Sequence, residues 1–168
     1  MLEKILEETR VKTKRAFWNR EKQAYRLTEN GNEFTTRGNA LVILSGIADN
    51  ANELCERIVK GEFAGCSLSM KCFKYDALLL TDKVKWQGHV LDEIRKDYKK
   101  MLDMGATSVW EMIDGASAFD NAGSLCHGWS AIPIYYFDKI KVAQEIKILK
   151  SGNRVVTWFC DNRYNPYK

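Results

Sequence analysis

Leu2, Ile5 and Leu6, then Ala16 and Phe17, recur at helical spacing among charged residues, which predicts an amphipathic helix over residues 2 to about 17. Between Tyr25 and Phe34 the short runs are separated by Asn30-Gly31, a dipeptide that readily takes the positive φ angles of a type I′ turn, so a small β ribbon is expected there. Residues 39 to 48 are apolar nearly all round and read as an inward-facing helix. Asn50 with Glu53 has the form of a capping box, opening a helix that carries Ala51, Leu54, Cys55 and Ile58 and is closed by Gly61. A further apolar segment runs from Met70 to Leu80. Asp82 then caps the longest helix, whose stripe is Val84, Val90, Leu91, Ile94, Tyr98, Met101 and Leu102 and whose stop is Gly105. After a loop from Ala106 to Asn121, residues 122 to about 137 form a last predicted helix despite Gly128 and Pro133. The tail from Glu145 to Trp158 alternates around Ser151-Gly152-Asn153 as a second hairpin. The expected fold class is therefore all-α, with six helices arranged as antiparallel hairpins and short β ribbons.

Composition narrows the classes of function. At 168 residues and 45% hydrophobic content the chain suits one domain, with a helical part over about 2–137 and a ribbon and tail over about 138–168. The 26 basic and 22 acidic side chains are interleaved, except where Arg10, Lys12, Lys14, Arg15, Arg20 and Lys22 crowd together. This cluster is too modest for a nucleic-acid surface and reads as a solvated helix face. No signal segment opens the chain and no apolar run reaches the ~20 residues of a membrane span, so a cytoplasmic protein without membrane contact is expected. The five cysteines are unevenly spaced and fit free thiols in a reducing compartment. No metal site or cofactor is expected, because only Cys126 and His127 are adjacent, a spacing too tight for both to hold one ion.

The chemistry concentrates between Gly105 and Trp129. Trp110 stands beside Glu111, and His127 lies two residues before Trp129. Carboxylates that handle protons and water, together with flat aromatic faces that cover a pyranose, are what a carbohydrate site requires. Spacing alone favours a capping or ion-paired role for Glu111, leaves Trp110 and Trp129 open to packing, and leaves His127 open to a satisfied core position. Asp114 and Asp120 are turn formers that are also eligible as supporting acceptors. His89, on a charged helix, reads as ordinary. Cys126 beside His127 lacks a third group to orient the pair, so a thiol nucleophile is set aside.

Five segments extend this picture: Phe17-Trp-Asn-Arg-Glu-Lys-Gln-Ala-Tyr25, Asn39-Ala-Leu, Met70-Lys-Cys-Phe-Lys-Tyr-Asp-Ala-Leu, Met101 to Glu111, and Ser124-Leu-Cys-His-Gly-Trp-Ser-Ala131. In this order they resemble the C-terminal half of the six-hairpin (α/α)6 glycosidases, most closely the bacterial α-L-rhamnosidase-like family, over roughly residues 10 to 137. The most specific parts are Gly-Ala-Thr-x-x-Trp-Glu and Ser-Leu-x-His-x-Trp. The resemblance implies about half of an (α/α)6 toroid and an inverting glycoside hydrolase acting on terminal glycosides. In it Glu111 is the general base that activates water, and Trp110, His127 and Trp129 contact the sugar or wall its pocket. The family's acid-bearing Asp-Cys-Pro-Gln-Arg-Asp/Glu-Glu-Arg segment is not found in these residues, nor is the β-sandwich that usually follows the barrel. The expectation is therefore a glycosidase fragment or relative that is inactive alone, or else a non-catalytic carbohydrate-binding or protein-interaction module. Expected partners are a carbohydrate and either a second copy, as a homodimer, or a complementary N-terminal glycosidase half.

Overall fold

The computed structural model describes residues 1–140; the hairpin expected at Glu145 to Trp158 lies outside the described residues. The order of elements is helix α1 (Leu2–Phe17), strands β1 (Trp18–Asn19) and β2 (Ala24–Tyr25), helices α2 (Thr36–Leu44), α3 (Ala51–Val59), α4 (Lys71–Thr81) and α5 (Lys83–Asp103), a single turn α6 (Ala118–Asn121), and α7 (Pro133–Ile140). Among the described residues the protein is thus mostly helical, with one small antiparallel sheet. Among the described residues no helix is long and apolar enough to cross a membrane.

α4 is the centre of the molecule. It packs on α2, α3 and α5, and buries Lys74, Tyr75, Ala77, Leu78 and Leu79. The run Ala77 to Leu79 reaches the core because three consecutive residues of a helix sweep most of a turn, so only a helix covered on several sides can bury them all. α5 is capped as its sequence predicts, Lys85 N–H donating to Asp82 Oδ1 at 3.0 Å. Its buried stripe differs at both ends. Trp86 and Asp97 are buried, whereas Val84 and Leu102 face solvent, Leu102 about 100° round the helix from buried Met101 and Val84 about 200° round from buried Trp86.

Local signals explain where the helices stop. α2 ends at Leu44, short of the expected Ala48, because Gly46 adopts φ +69° and lets Gly46 N–H reach Ile43 O at 3.0 Å and Ile47 N–H reach Val42 O at 3.0 Å. These two bonds close the orphan carbonyls of the last turn. Gly61 and Gly105 close α3 and α5 by the same pair of bonds, in agreement with the sequence. The capping box expected at Asn50 does not form. Its side-chain amide instead reaches Gln23 O at 3.5 Å, bringing the start of α3 to the ribbon turn.

The ribbon is also displaced from its expected place. β1 and β2 pair Trp18 with Tyr25 and Asn19 with Ala24, so the paired strands flank 20–23; the chain does turn before Gly31, Gly31 N–H donating to Thr28 O at 3.2 Å and Leu27 N–H to Glu33 O at 2.8 Å, but no strands flank that turn. Asn39 explains the shift. Fully buried on α2, it accepts from Tyr25 N–H at 2.9 Å and donates to Tyr25 O at 3.2 Å, serving β2 as a strand neighbour would. Arg57 holds the turn from the other side, donating to Lys22 O at 2.7 Å and Gln23 O at 3.0 Å. The last helix, expected from 122, begins only at Pro133. Proline has no N–H to contribute and a φ suited to the first helical turn, so it starts α7 and does not sit inside a longer helix.

Candidate functional site

The two most specific segments of the sequence lie side by side. Glu111 N–H donates to Ser124 O at 2.9 Å and His127 N–H donates to Val109 O at 2.8 Å, so residues 109–111 and 124–127 run against each other in opposite directions. On its other side Glu111 is tied to the start of α4, where Leu68 N–H donates to Glu111 O at 3.1 Å. The main chain of Glu111 is therefore held between two segments. Its half-buried carboxylate accepts a long hydrogen bond, 3.5 Å, from Ser124 N–H.

Trp110 and Glu111, though adjacent, differ in burial. Trp110 is only 6% exposed and joins the core, its ring lying against Gly115. In this arrangement the indole packs and offers no open face. Trp129 is the reverse: it sits on the single turn Gly128–Ser130, 82% exposed, while the adjacent Ser130 is fully buried and its carbonyl accepts from Tyr98 Oη. The structure thus brings together Trp110, Glu111 and the half-buried His127, and presents Trp129 outward beside them. Cys126 is exposed, its main-chain N–H bonded to Ser124 Oγ at 3.3 Å.

The connection from Met112 to Gly123 folds back over Trp110. Gly123 permits this, since a Cβ there would lie 2.0 Å from Gly115 O. Phe119, Asp120 and Asn121 all adopt left-handed backbone angles, unusual for consecutive residues with side chains. Asp114 forms an exposed ion pair with Lys100 at 3.4 Å, and Asp120 faces solvent. A separate groove, lined by Leu44, Asp76, Leu79, Leu80, Lys83 and Lys139, does not include the residues of this site.

Sequence reading missed a charged network close to Glu111. Lys71, three residues after Leu68, places Nζ 2.9 Å from Glu93 Oε1 and 2.5 Å from Asp97 Oδ2, and Lys74 Nζ lies 2.6 Å from Glu93 Oε2. His89 Nε2 is 3.4 Å from the same Oε2, so this histidine takes part in a network and is not the isolated surface residue its helix implied. Burial opposes ionisation of Glu93, but the nearby His89 ring and the charges of Lys74 and Lys71 outweigh it and hold the carboxyl well below the usual carboxylate range. Burial likewise works against Lys71, and Glu93 and Asp97 reverse the balance so that its ammonium is held more firmly than usual. Tyr75, fully buried, keeps its hydroxyl without a hydrogen-bond partner, and burial pushes its ionisation far above the ordinary phenol value. Spacing did carry a signal: His89, Glu93 and Asp97 stand four residues apart on one stripe of α5, opposite Lys71 and Lys74 on α4. It becomes legible only once α4 and α5 are known to face each other. Burial also pushes the Cys55, Cys66 and Cys72 thiols up, which disfavours thiolate chemistry at those three.

No protein-family model, no curated protein and no solved structure matches the chain significantly.

Proposed function

We propose that this chain carries the water-activating half of an inverting glycosidase site of the α-L-rhamnosidase-like kind, its helices forming part of an (α/α)6 toroid. Glu111 is the general base, His127 offers a hydrogen bond to sugar hydroxyls, Trp129 supplies the stacking face, and Trp110 is the wall that fixes Glu111 from behind. The observation that carries this reading is the pairing of 109–111 with 124–127, which sets the main chain of Glu111 in a hydrogen-bonded frame and leaves its carboxylate half open. Inversion requires a second carboxyl group ~6.5–9.5 Å away to protonate the leaving oxygen. In this proposal that acid comes from a complementary N-terminal glycosidase half.

The chain alone is then expected to bind a monosaccharide weakly and to leave aryl glycosides, α-L-rhamnosides included, intact. Titration with rhamnose and a panel of other sugars, followed by tryptophan fluorescence, tests the binding, and release of an aryl chromophore tests turnover. Turnover abolished in Glu111→Gln would show that the acid lies within this chain. Sugar binding that persists beside a complementary half without any turnover would favour the other reading, a carbohydrate-binding module without catalysis. The absence of a response at millimolar sugar, or a response unchanged in Trp129→Ala, would reduce the site to packing.

A further inference from the structure

We propose that α1 is the interface of a homodimer of this chain, in which two copies of the helix pair antiparallel. Sixteen residues long, α1 buries none of them, although its spacing is amphipathic. Leu2, Ile5 and Leu6 are 79%, 54% and 51% exposed. With Thr9, Thr13 and Ala16 they make one stripe along the helix. The polar anchors to the rest of the protomer come from the second half, where Arg10 donates to Ser45 O at 3.4 Å and Lys14 pairs with Asp49. The first two turns carry the apolar part of the stripe past those anchors. A helix of this length is marginal in water unless its apolar face is covered.

Charge selects the occupant. The first half of α1 holds Glu3, Glu7 and Glu8 against one base, Lys4, whereas the second half holds Arg10, Lys12, Lys14 and Arg15 and no acid. A second copy laid antiparallel matches acidic half to basic half, and a parallel copy sets like on like. Glu8 and Lys12 lie one turn apart on the same flank of the stripe, and neither makes an ion pair within the described protomer. A two-fold axis near Arg10 therefore sets each Glu8 against the partner subunit's Lys12, twice per dimer, as a self-complementary interface requires. This inference is independent of the sugar-binding reading.

The test uses the full chain in sedimentation and light scattering across the micromolar range. The expected result is a concentration-dependent dimer that Ile5→Glu with Leu6→Glu converts to monomer without loss of helical content by circular dichroism. Glu8→Lys alone and Lys12→Glu alone should each weaken association by about tenfold or more, and an equimolar mixture of the two should restore it, because the mixed pair regains both opposite-charge contacts. These exposed substitutions leave the fold in place, so the outcome does not depend on the apolar variant. A monomer throughout the range would overturn the proposal, as would a dimer indifferent to all of these changes or a mixture that fails to associate. A chain that stays monomeric and uses α1 only to bind an acid-bearing glycosidase half would overturn it as well.

Discussion

The α4–α5 interface and the segment from Ala106 to Ile132 are neighbours built on opposite principles. In the first, regular helices bury Tyr75, Leu78, Val90 and Ile94 around a charged network, and each side chain is held by many others. In the second, the path is set by a few main-chain bonds, at Val109, Glu111 and Ser124, and by two glycines, Gly115 and Gly123, too crowded to bear a Cβ. The difference teaches where chemistry fits in this protein. A carboxylate fully paired inside the helices, as Glu93 is, has no freedom to meet a substrate, while Glu111 is anchored through its backbone and keeps a half-open side chain. Exposure separates the two tryptophans in the same way, one structural and one available.

The sharpest way to break this comparison is Trp110→Ala. Trp110 belongs to the irregular segment but is buried like a helix-core residue, so its truncation is expected to cost ~3–5 kcal/mol in denaturant unfolding. A loss within about 1 kcal/mol, the scale of a minor core change, would mean that the segment is not packed as described.

Glu93→Gln comes next. Removing one partner of a mostly buried ionic network leaves Lys71 and Lys74 short of their counter-charge, and a loss of about 3 kcal/mol is expected. The pH dependence follows from the direction of the shifts. Because the folded pKa of Glu93 is depressed, its stabilisation is present above the ordinary carboxylate value, ~4.3, and disappears as pH falls through the folded value. Lys71 is raised, so its part is present below ~10.4 and is lost as pH rises through its folded value. Stability curves measured from acid to alkali should show a steep acid-side loss in the wild type that Glu93→Gln reduces.

Asn39→Leu is expected to cost about 2 kcal/mol, since it leaves Tyr25 N–H and C=O buried without the side chain that pairs them. Thermal melting checks this, and an unchanged melting temperature would mean that the ribbon finds its bonds elsewhere. The smallest expected effects are those of Glu111→Gln and Trp129→Ala, within about 0.5 kcal/mol of the wild type, as for surface changes away from the core. Trp129→Ala is expected to abolish the sugar-dependent fluorescence response, and Glu111→Gln to retain it. A large stability loss in either would move these residues into the structural class and undo the contrast.

Much of the fold was legible in the sequence because its signals are local. Asp82 as a cap and Gly61 and Gly105 as stops act within one helical turn and hold in the structure, as does the burial of Leu54, Cys55 and Ile58. The turn before Gly31 forms without the ribbon expected around it, because Asn39 takes the place of a strand partner for Tyr25, and the helix expected from 122 starts only at Pro133, which offers a better start than a segment interrupted by Gly123 and Gly128.

The candidate site divides along the same line. Sequence by itself marked Trp110, Glu111, His127 and Trp129 as residue types that fit one chemistry, and drew the helices that frame them. Only tertiary structure decided which tryptophan is buried, that Glu111 lies between Leu68 and Ser124, and that Lys71, Lys74, His89, Glu93 and Asp97 form one network. The physical reason is range. Caps, stops and amphipathic stripes are settled by neighbours a few residues away, whereas exposure and charge pairing depend on which distant surface arrives to exclude water, and no local pattern specifies that partner.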